Sequence, residues 1–379
     1  MINITGPSID VQLLETYLLN IINFESLIAT KASRIVYAAK GRNVFYSPKT
    51  VVDFGARRAH GRDAAVLAAR AAYIGGFDGT SLVIAAMKWG IPFVGTIPHK
   101  FIEERYRETK SFRETELQAF IEYAESFPHN TILLVDTYDT IEGVRNAIKV
   151  GLELKKRGYK LAGIRLDSGD PVELSKIARR MLDEAGLTDA KIFASDRLDE
   201  FVIEDALSRG APIDGFGVGT KLVTGANYDS LTKEGGVSAL DGIFKLAETS
   251  DESGRMIPTT KFTSSLNKAT LPGRKQVWRK IENEHFIEDI ITLWDEEVEG
   301  AKPLLVPIVI KGEIIYDFPD LKEIRRKCAE QLAALPERYG RIRNSEVYPV
   351  RVSERLRKLR DEMFERFQKE YLHASPLMR

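Results

Sequence analysis

The stretch Gly163 to Asp170 reads Gly-Ile-Arg-Leu-Asp-Ser-Gly-Asp and sets one guanidinium, Arg165, beside two carboxylates, Asp167 and Asp170. A planar guanidinium grips a carboxylate or phosphate through two parallel hydrogen bonds. Carboxylates suit ribose hydroxyls, or a Mg2+ ion shared with substrate phosphates. Comparable groups close five other apolar runs. Arg57 and Arg58 follow Val51–Phe54, Thr96 and His99 close Ile91–Ile97, and Asp136 follows Thr131–Val135. Ser195 and Asp196 follow Lys191–Ala194, and Gly217, Gly219 and Thr220 end Asp214–Val218. Glycines in such a turn let backbone N–H groups approach an anion closely. Each group also has a structural use. Asp170, just before Pro171, suits a helix N-cap; Arg165 suits an internal ion pair; Gly-Val-Gly-Thr suits a tight turn without ligand. His99 suits a general acid, an anion donor or a nucleophile, or a buried hydrogen-bonded imidazole. Arg58 is expected to face away from Arg57, because adjacent strand residues alternate. The other histidines, His60, His129, His285 and His373, fall in helical or loop contexts and are expected to be structural or solvated.

These residues need elements to carry them. Leu161–Leu166 is a short apolar run that reads as a buried strand; Ser168-Gly169 turns the chain, and Pro171 opens a helix where a missing N–H costs nothing. The same strand-then-helix rhythm runs from about residue 51 to 225 with a repeat of about 25–30 residues, fitting right-handed βα units. The strands are expected at 51–54, 91–97, 131–135, 161–166, 191–194 and 214–218, with a turn or very short strand at 75–81. Helices are expected at 63–73, 82–89, most of 103–127, 140–157, 172–185 and 198–208. The number of units favours a barrel over an open sheet, and all the polar groups fall at the C-terminal mouths of its strands, where parallel α/β folds place chemistry. Upstream, residues 9–39 form one long helix or two on Val11, Leu14, Leu18, Ile21 and Ile22, and Gly41–Pro48 is a loop. Beyond 225 the rhythm stops. Strand-like pieces recur at 243–247, 277–281 and 305–315, with loop signals at Glu234-Gly235-Gly236 and Leu271–Arg274. A helix over 353–371 has Ser353 as N-cap and Leu356, Leu359, Met363 and Phe367 on one face.

Composition narrows the class. The 379 residues carry 55 acidic and 55 basic side chains, a balance that excludes a general nucleic-acid binder or a polybasic membrane surface. Cys328 is the only cysteine, so the sequence holds no internal disulfide and no multi-cysteine zinc site. No apolar run reaches the roughly 20 residues of a membrane span, and no secretory signal is present, so a soluble cytoplasmic protein is expected. From the residues alone the chain is a barrel-like enzyme for a phosphorylated, anionic substrate, with Mg2+ a fitting companion.

In their order these stretches resemble the nicotinate phosphoribosyltransferase family. The resemblance rests on Gln12–Thr16, Ala29-Thr30-Lys31-Ala32, Phe54–Ala59, Tyr73–Ser81, Gly95–His99, Asp136-Thr137-Tyr138, Gly163–Asp170, Gly217–Thr220, Thr270–Gly273 and Ser353–Leu356, nearly the whole chain. It implies an irregular α/β barrel of the type II phosphoribosyltransferase kind with a smaller α+β domain. The divisions expected are 1–45 as the helical part of an incomplete N-terminal α/β domain, 46–225 as the barrel, and 226–379 as a C-terminal α+β region. It further implies a cytoplasmic homodimer that joins nicotinate to 5-phosphoribosyl 1-diphosphate in NAD synthesis. ATP is then a cosubstrate, coupled through a phosphorylated histidine that His99 matches, with Mg2+ and no zinc. Arg165 and Arg57 match the groups that hold the pyridine carboxylate and diphosphate, with Arg58 beside them. Thr96 matches a nicotinate contact, and Thr220 with Gly217 and Gly219 matches the 5-phosphate cradle. Asp136, Ser195 and Asp196 join the substrate rim, and Asp167 and Asp170 are the carboxylates expected to meet Mg2+ through the diphosphate. Two departures stand out. Lys100 replaces a serine common after the histidine, and a family N-terminal segment of roughly a hundred residues, with a tyrosine that stacks on the nicotinate ring, is expected to be missing. Two other functions compete. One is a nicotinamide or quinolinate phosphoribosyltransferase, which the Arg57-Arg58 pair disfavours for the uncharged amide; the other is a non-catalytic nucleotide-binding subunit that needs a partner.

Overall fold

The computed structural model describes residues 1–42, 44, 47–226, 239–262 and 270–371. They divide into two units: 23–240 with 320–333, and 1–22 with 241–319 and 334–379, of which the described part ends at 371. These limits cross those drawn from the sequence at 45 and 225.

In the first unit the chain enters through α1 (Ser8–Lys40), one continuous helix whose residues from 23 onward belong here. Its inward stripe is Leu27, Ile28, Ala32, Ile35, Val36 and Ala39, at the spacing of one helix face. Then follow β1 (Thr50–Asp53), a 3₁₀ turn (Ala56–Arg58), α2 (Arg62–Ile74), β2 (Gly79–Thr80) and α3 (Val83–Trp89). Next come α4 (His99–Glu103), α5 (Phe112–Ser126), β3 (Ile132–Leu134), α6 (Thr140–Lys156), β4 (Gly163–Leu166) and α7 (Pro171–Glu184). The series ends with β5 (Lys191–Ala194), α8 (Glu200–Ser208), β6 (Gly215–Val218) and α9 (Thr220–Val223). The six strands pair in parallel in the order β2-β1-β6-β5-β4-β3, so every C-terminal strand end lies on one rim. The apolar core has two lobes. One packs α1 and α2 against β1 and β6 through Ile28, Ile35, Ala68 and Phe216; the other packs α5, α6 and α7 on β3 and β4 through Phe120, Leu133, Leu134 and Ile164.

Side-chain caps account for several helix starts. Ser111 and Glu114 form a reciprocal capping box at α5, Asp139 accepts from Glu142 N, and Asp170 accepts from Val172 N with Pro171 at the first helical position. That box makes α5 start at 112, so the segment expected to be mostly helical over 103–127 holds α5 at 112–126, with the end of α4 at 103. The strand expected at 91–97 reduces to a single bridge from Thr80 to Phe93. Pro92 and Pro98 flank it without N–H donors, and the ladder cannot extend.

In the second unit β9 (Lys275–Glu282) and β10 (His285–Leu293) pair antiparallel, and the sheet order is β11-β9-β10-β14, with β11 (Ala301–Pro303) and β14 (Val350–Val352). Two hairpins accompany it: β7 (Glu248–Ser250) with β8 (Met256–Pro258), and β12 (Val309–Ile310) with β13 (Glu313–Ile314). The first falls at 248–258 rather than at the expected 243–247. The second turns at Lys311-Gly312, both with positive φ, inside the run expected as one strand. Helix α10 (Leu321–Ala334) belongs through Ala333 to the first unit, where Arg325 donates to Gly76 O at 3.0 Å and meets Asp78 at 3.4 Å. The short α11 (Glu337–Gly340) precedes β14, and α12 (Glu354–Tyr371) is capped by Ser353 Oγ, which accepts from Leu356 N. The loop signal at 234–236 and His373 lie outside the described residues.

Candidate active site on the strand-end rim

Arg165 projects from β4, between β5 and β3 in the sheet. Its Nη2 donates to Ile97 O at 3.3 Å, and its guanidinium lies over the Phe54 ring, 5.7 Å from the centroid. Its Nε is buried without a partner. Burial lowers its pKa, and the nearby Asp167 and Asp136 carboxylates oppose that shift, while Arg57 adds to it. A half-buried cation with a buried, unused donor suits an incoming anion, since part of the desolvation cost is already met by the fold. Thr96, next to Ile97, likewise has a buried Oγ1 without a partner.

Phe54 occupies the space beside Gly217, where a Cβ would overlap the ring. Gly217 therefore lies inside β6 and makes room for the platform beneath Arg165, a different task from the anion cradle its spacing suggested. Gly219 and Thr220 do stand at the strand end, with Thr220 exposed. Gly55 is pressed against Gly219 O and the Val223 side chain, which brings the turn after β1 up to the turn after β6.

The turn after β1 is held from below by Asp53. Fully buried, it accepts from Gly55 N and from Thr80 Oγ1, both at 2.8 Å, and burial raises its pKa. Arg57 and Arg58 then project from a 3₁₀ turn, both exposed. The strand alternation expected to turn Arg58 away does not apply on such a turn.

His99, the first residue of α4, places Nδ1 3.1 Å from Thr137 Oγ1 and Nε2 3.5 Å from Asp167 Oδ2. Asp167 also accepts from Ser195 Oγ through its other oxygen. Beside it Asp136 accepts from Ser168 Oγ at 2.6 Å through Oδ2, and its Oδ1 is buried without a partner. Asp196, with Arg197, holds positive φ, a backbone state that costs a non-glycine residue roughly 1 kcal/mol or more. Burial and the fields of Asp167 and Asp136 raise the Asp196 pKa against the opposing Arg197.

Asp170 stands apart. One carboxylate oxygen caps α7, the other meets Arg209 at 3.4 Å, and the cap holds its pKa low. Asp167, for its part, meets Ser195 and His99. Among the described residues no three His, Cys, Asp or Glu side chains gather as a metal site. Phe54, Thr137, Ser168 and Asp53 were not among the residues anticipated for the site. Only Asp53 carried a usable signal, a carboxylate closing the apolar run Val51-Val52.

A parallel α/β sheet with arginines, a histidine, carboxylates and a glycine turn on one rim defines a phosphoribosyltransferase of the type II barrel class. Comparison agrees. Residues 49–270 match the model of the nicotinate phosphoribosyltransferase (NAPRTase) family, and 297–360 match the nicotinate phosphoribosyltransferase C-terminal domain. The chain is 42% identical to nicotinate phosphoribosyltransferase of Bacillus subtilis, over 93% of this chain and 72% of that protein. It is 43% identical to a Mycobacterium tuberculosis protein of the same name, over 94% and 70%. The crystal structure of human nicotinic acid phosphoribosyltransferase matches with a TM-score of 0.74 at 25% identity, covering 94% of this chain and 78% of that one. The chain belongs to the nicotinate phosphoribosyltransferase family, enzymes of NAD biosynthesis.

Proposed function

We propose that the rim of the first unit carries the family reaction, in which nicotinate and 5-phosphoribosyl 1-diphosphate give nicotinate mononucleotide and diphosphate, with ATP hydrolysis coupled through His99. The observation that carries this reading is Arg165, a half-buried guanidinium whose buried Nε is an unused donor and whose Nη2 donates to Ile97 O, beside Thr96 in the chain with its own buried, unpartnered hydroxyl. Arg165 pairs with the pyridine carboxylate and Thr96 donates to it. The ring nitrogen lone pair attacks C1 of the ribose while the C1–O bond breaks and its electron pair leaves on diphosphate. No proton moves in that step, so the rim needs no general base at the nitrogen. Positive charge grows on the ribose at the transition state, where the carboxylates of Asp136, Asp167 and Asp196 favour it. Arg57 and Arg58 receive the diphosphate, and Gly219 and Thr220 receive the 5-phosphate. Mg2+ enters on the diphosphate rather than in a site of the protein's own.

For the ATP step, Asp167, whose Oδ2 lies 3.5 Å from His99 Nε2, favours a proton on that nitrogen and so a ring lone pair on Nδ1, beside Thr137 Oγ1. That nitrogen takes the terminal phosphoryl of ATP as the bond to ADP breaks, and water later removes it. A homodimer of the 42.6 kDa chain is the proposed working form. The cytoplasm, which holds phosphoribosyl diphosphate and ATP, is its proposed compartment. The family resemblance supports both.

The test is product formation by the purified chain with nicotinate, phosphoribosyl diphosphate and Mg2+, with and without ATP. Product that rises with ATP, with labelled phosphate on His99, supports the whole scheme. Product at an unchanged rate without ATP, or normal coupling in His99→Ala, removes the ATP step. Equal use of nicotinamide overturns the pairing assigned to Arg165.

A further inference from the structure

A lysine interrupts the apolar face of α1. Lys31 lies on the same buried stripe as Ile28, Ala32 and Ile35 and is only 2% exposed. Its Nζ meets Glu200 at 2.5 Å, and Arg34 Nε meets the other oxygen of that carboxylate at 3.0 Å. Glu200 is the first residue of α8 and is wholly buried, as is Asp199 before it. Asp199 Oδ1 caps α8 by accepting from Phe201 N at 3.0 Å and Val202 N at 2.9 Å. Its Oδ2 makes no hydrogen bond but lies 3.4 Å from Lys221 Nζ, one residue beyond Thr220.

A buried ion pair is weak evidence for stability, because apolar residues of similar volume often serve as well or better. Position is what this one supplies. The ladder between β5 and β6 stops at Ala194 and Phe216. Past that point the loop carrying Ser195 and Asp196 and the turn carrying Gly219 and Thr220 no longer share strand pairing. The Asp199–Lys221 contact spans them, and Glu200 anchors the same helix end to α1.

We propose that Asp199 and Glu200 are positioning residues that set the spacing between the loop after β5 and the turn after β6, and so the fit of the phosphoribosyl group. Lys31, Arg34 and Lys221 are their cationic partners. The proposal rests on the assignment of Gly219 and Thr220 to the 5-phosphate, and the variants separate the two ideas.

Asp199→Asn keeps an oxygen for the helix cap and removes the charge facing Lys221. Its Kd and KM for phosphoribosyl diphosphate are expected to rise about tenfold, while kcat, KM for nicotinate and Tm stay near those of the parent. Lys31→Met strands a buried carboxylate and lowers Tm; adding Glu200→Gln restores Tm, and Kd for phosphoribosyl diphosphate is expected to stay raised. Unchanged Kd in Asp199→Asn, or a parallel rise in KM for nicotinate, overturns the proposal, as does joint recovery of Tm and Kd in the Lys31→Met/Glu200→Gln chain. Thr220→Val serves as the reference. If it weakens phosphoribosyl diphosphate binding and Asp199→Asn does not, the positioning role falls and the phosphate assignment stands. If neither weakens it, both fall.

Discussion

Glu116 on α5 is buried, and its pKa is pushed up to about 7. Burial is the main cause; the Asp136, Asp139 and Glu142 carboxylates add to it, and the hydrogen bond from Asn146 Nδ2 at 3.0 Å opposes it. Oε1 has no partner. Asn146 Nδ2 also donates to Arg113 O, and the nearby cations are engaged elsewhere: Arg113 and Arg145 pair with Glu142, and Lys149 donates to Asn146 Oδ1. In the unfolded chain the carboxyl loses its proton near 4.5, whereas the folded chain holds it to about 7. The folded state thus binds more protons between those values, and this group lowers stability as pH rises through that window and no further above it. The shift corresponds to at most about 3 kcal/mol. Glu116→Gln keeps an acceptor for Asn146 and removes the titration. It is expected to match the parent near pH 4.5, gain steadily to pH 7, and hold a constant advantage of up to about 3 kcal/mol from there to pH 8.5. The assay is the urea midpoint of the transition that includes the first unit, followed at several pH values for both chains. A midpoint difference that does not change between pH 5 and 8, or a glutamine chain less stable at pH 8, refutes the account of buried protonation.

Three further outcomes follow from the same geometry. If Arg165 pairs with the pyridine carboxylate as proposed, Arg165→Ala removes those charge-assisted hydrogen bonds and is expected to lower kcat/KM for nicotinate about a hundredfold or more; steady-state kinetics within threefold of the parent would remove Arg165 from substrate binding. Gly143→Ala places a methyl onto the carbonyl oxygen of Val135, the residue after β3, and is expected to cost about 3 kcal/mol, read as a lower urea midpoint. Asp53→Ala frees Gly55 N and Thr80 Oγ1 together, so the turn bearing Arg57 and Arg58 loses its support; phosphoribosyl diphosphate affinity should fall while nicotinate affinity changes less, as calorimetry would show.

Much of this protein could be read along the chain. The strand at 191–194, the α7 cap by Asp170 before Pro171, and the α12 cap by Ser353 all depend on neighbours within a few residues, so local chemistry announces them. The rim residues were legible for the same reason: in a parallel sheet, a polar group just after an apolar run must stand at the strand's C-terminal end. The family emerged from the order of those runs.

The pairings across the rim were decided by the tertiary structure alone. Gly217 and Phe54 are remote in sequence, and only the β1–β6 register brings the ring into the space a side chain would fill. The meeting of His99, Thr137, Asp167 and Ser195 needs β3, β4 and β5 side by side. Asp167 and Asp170 are close in sequence, yet the turn at Gly169, with its positive φ, sends one to the rim and the other to the α7 cap. Burial is likewise a property of the assembled layers. Lys31 and Glu116 look like surface charges in the chain, and their altered proton affinities, like that of Asp53, exist only because helices and strands distant in sequence exclude water from them.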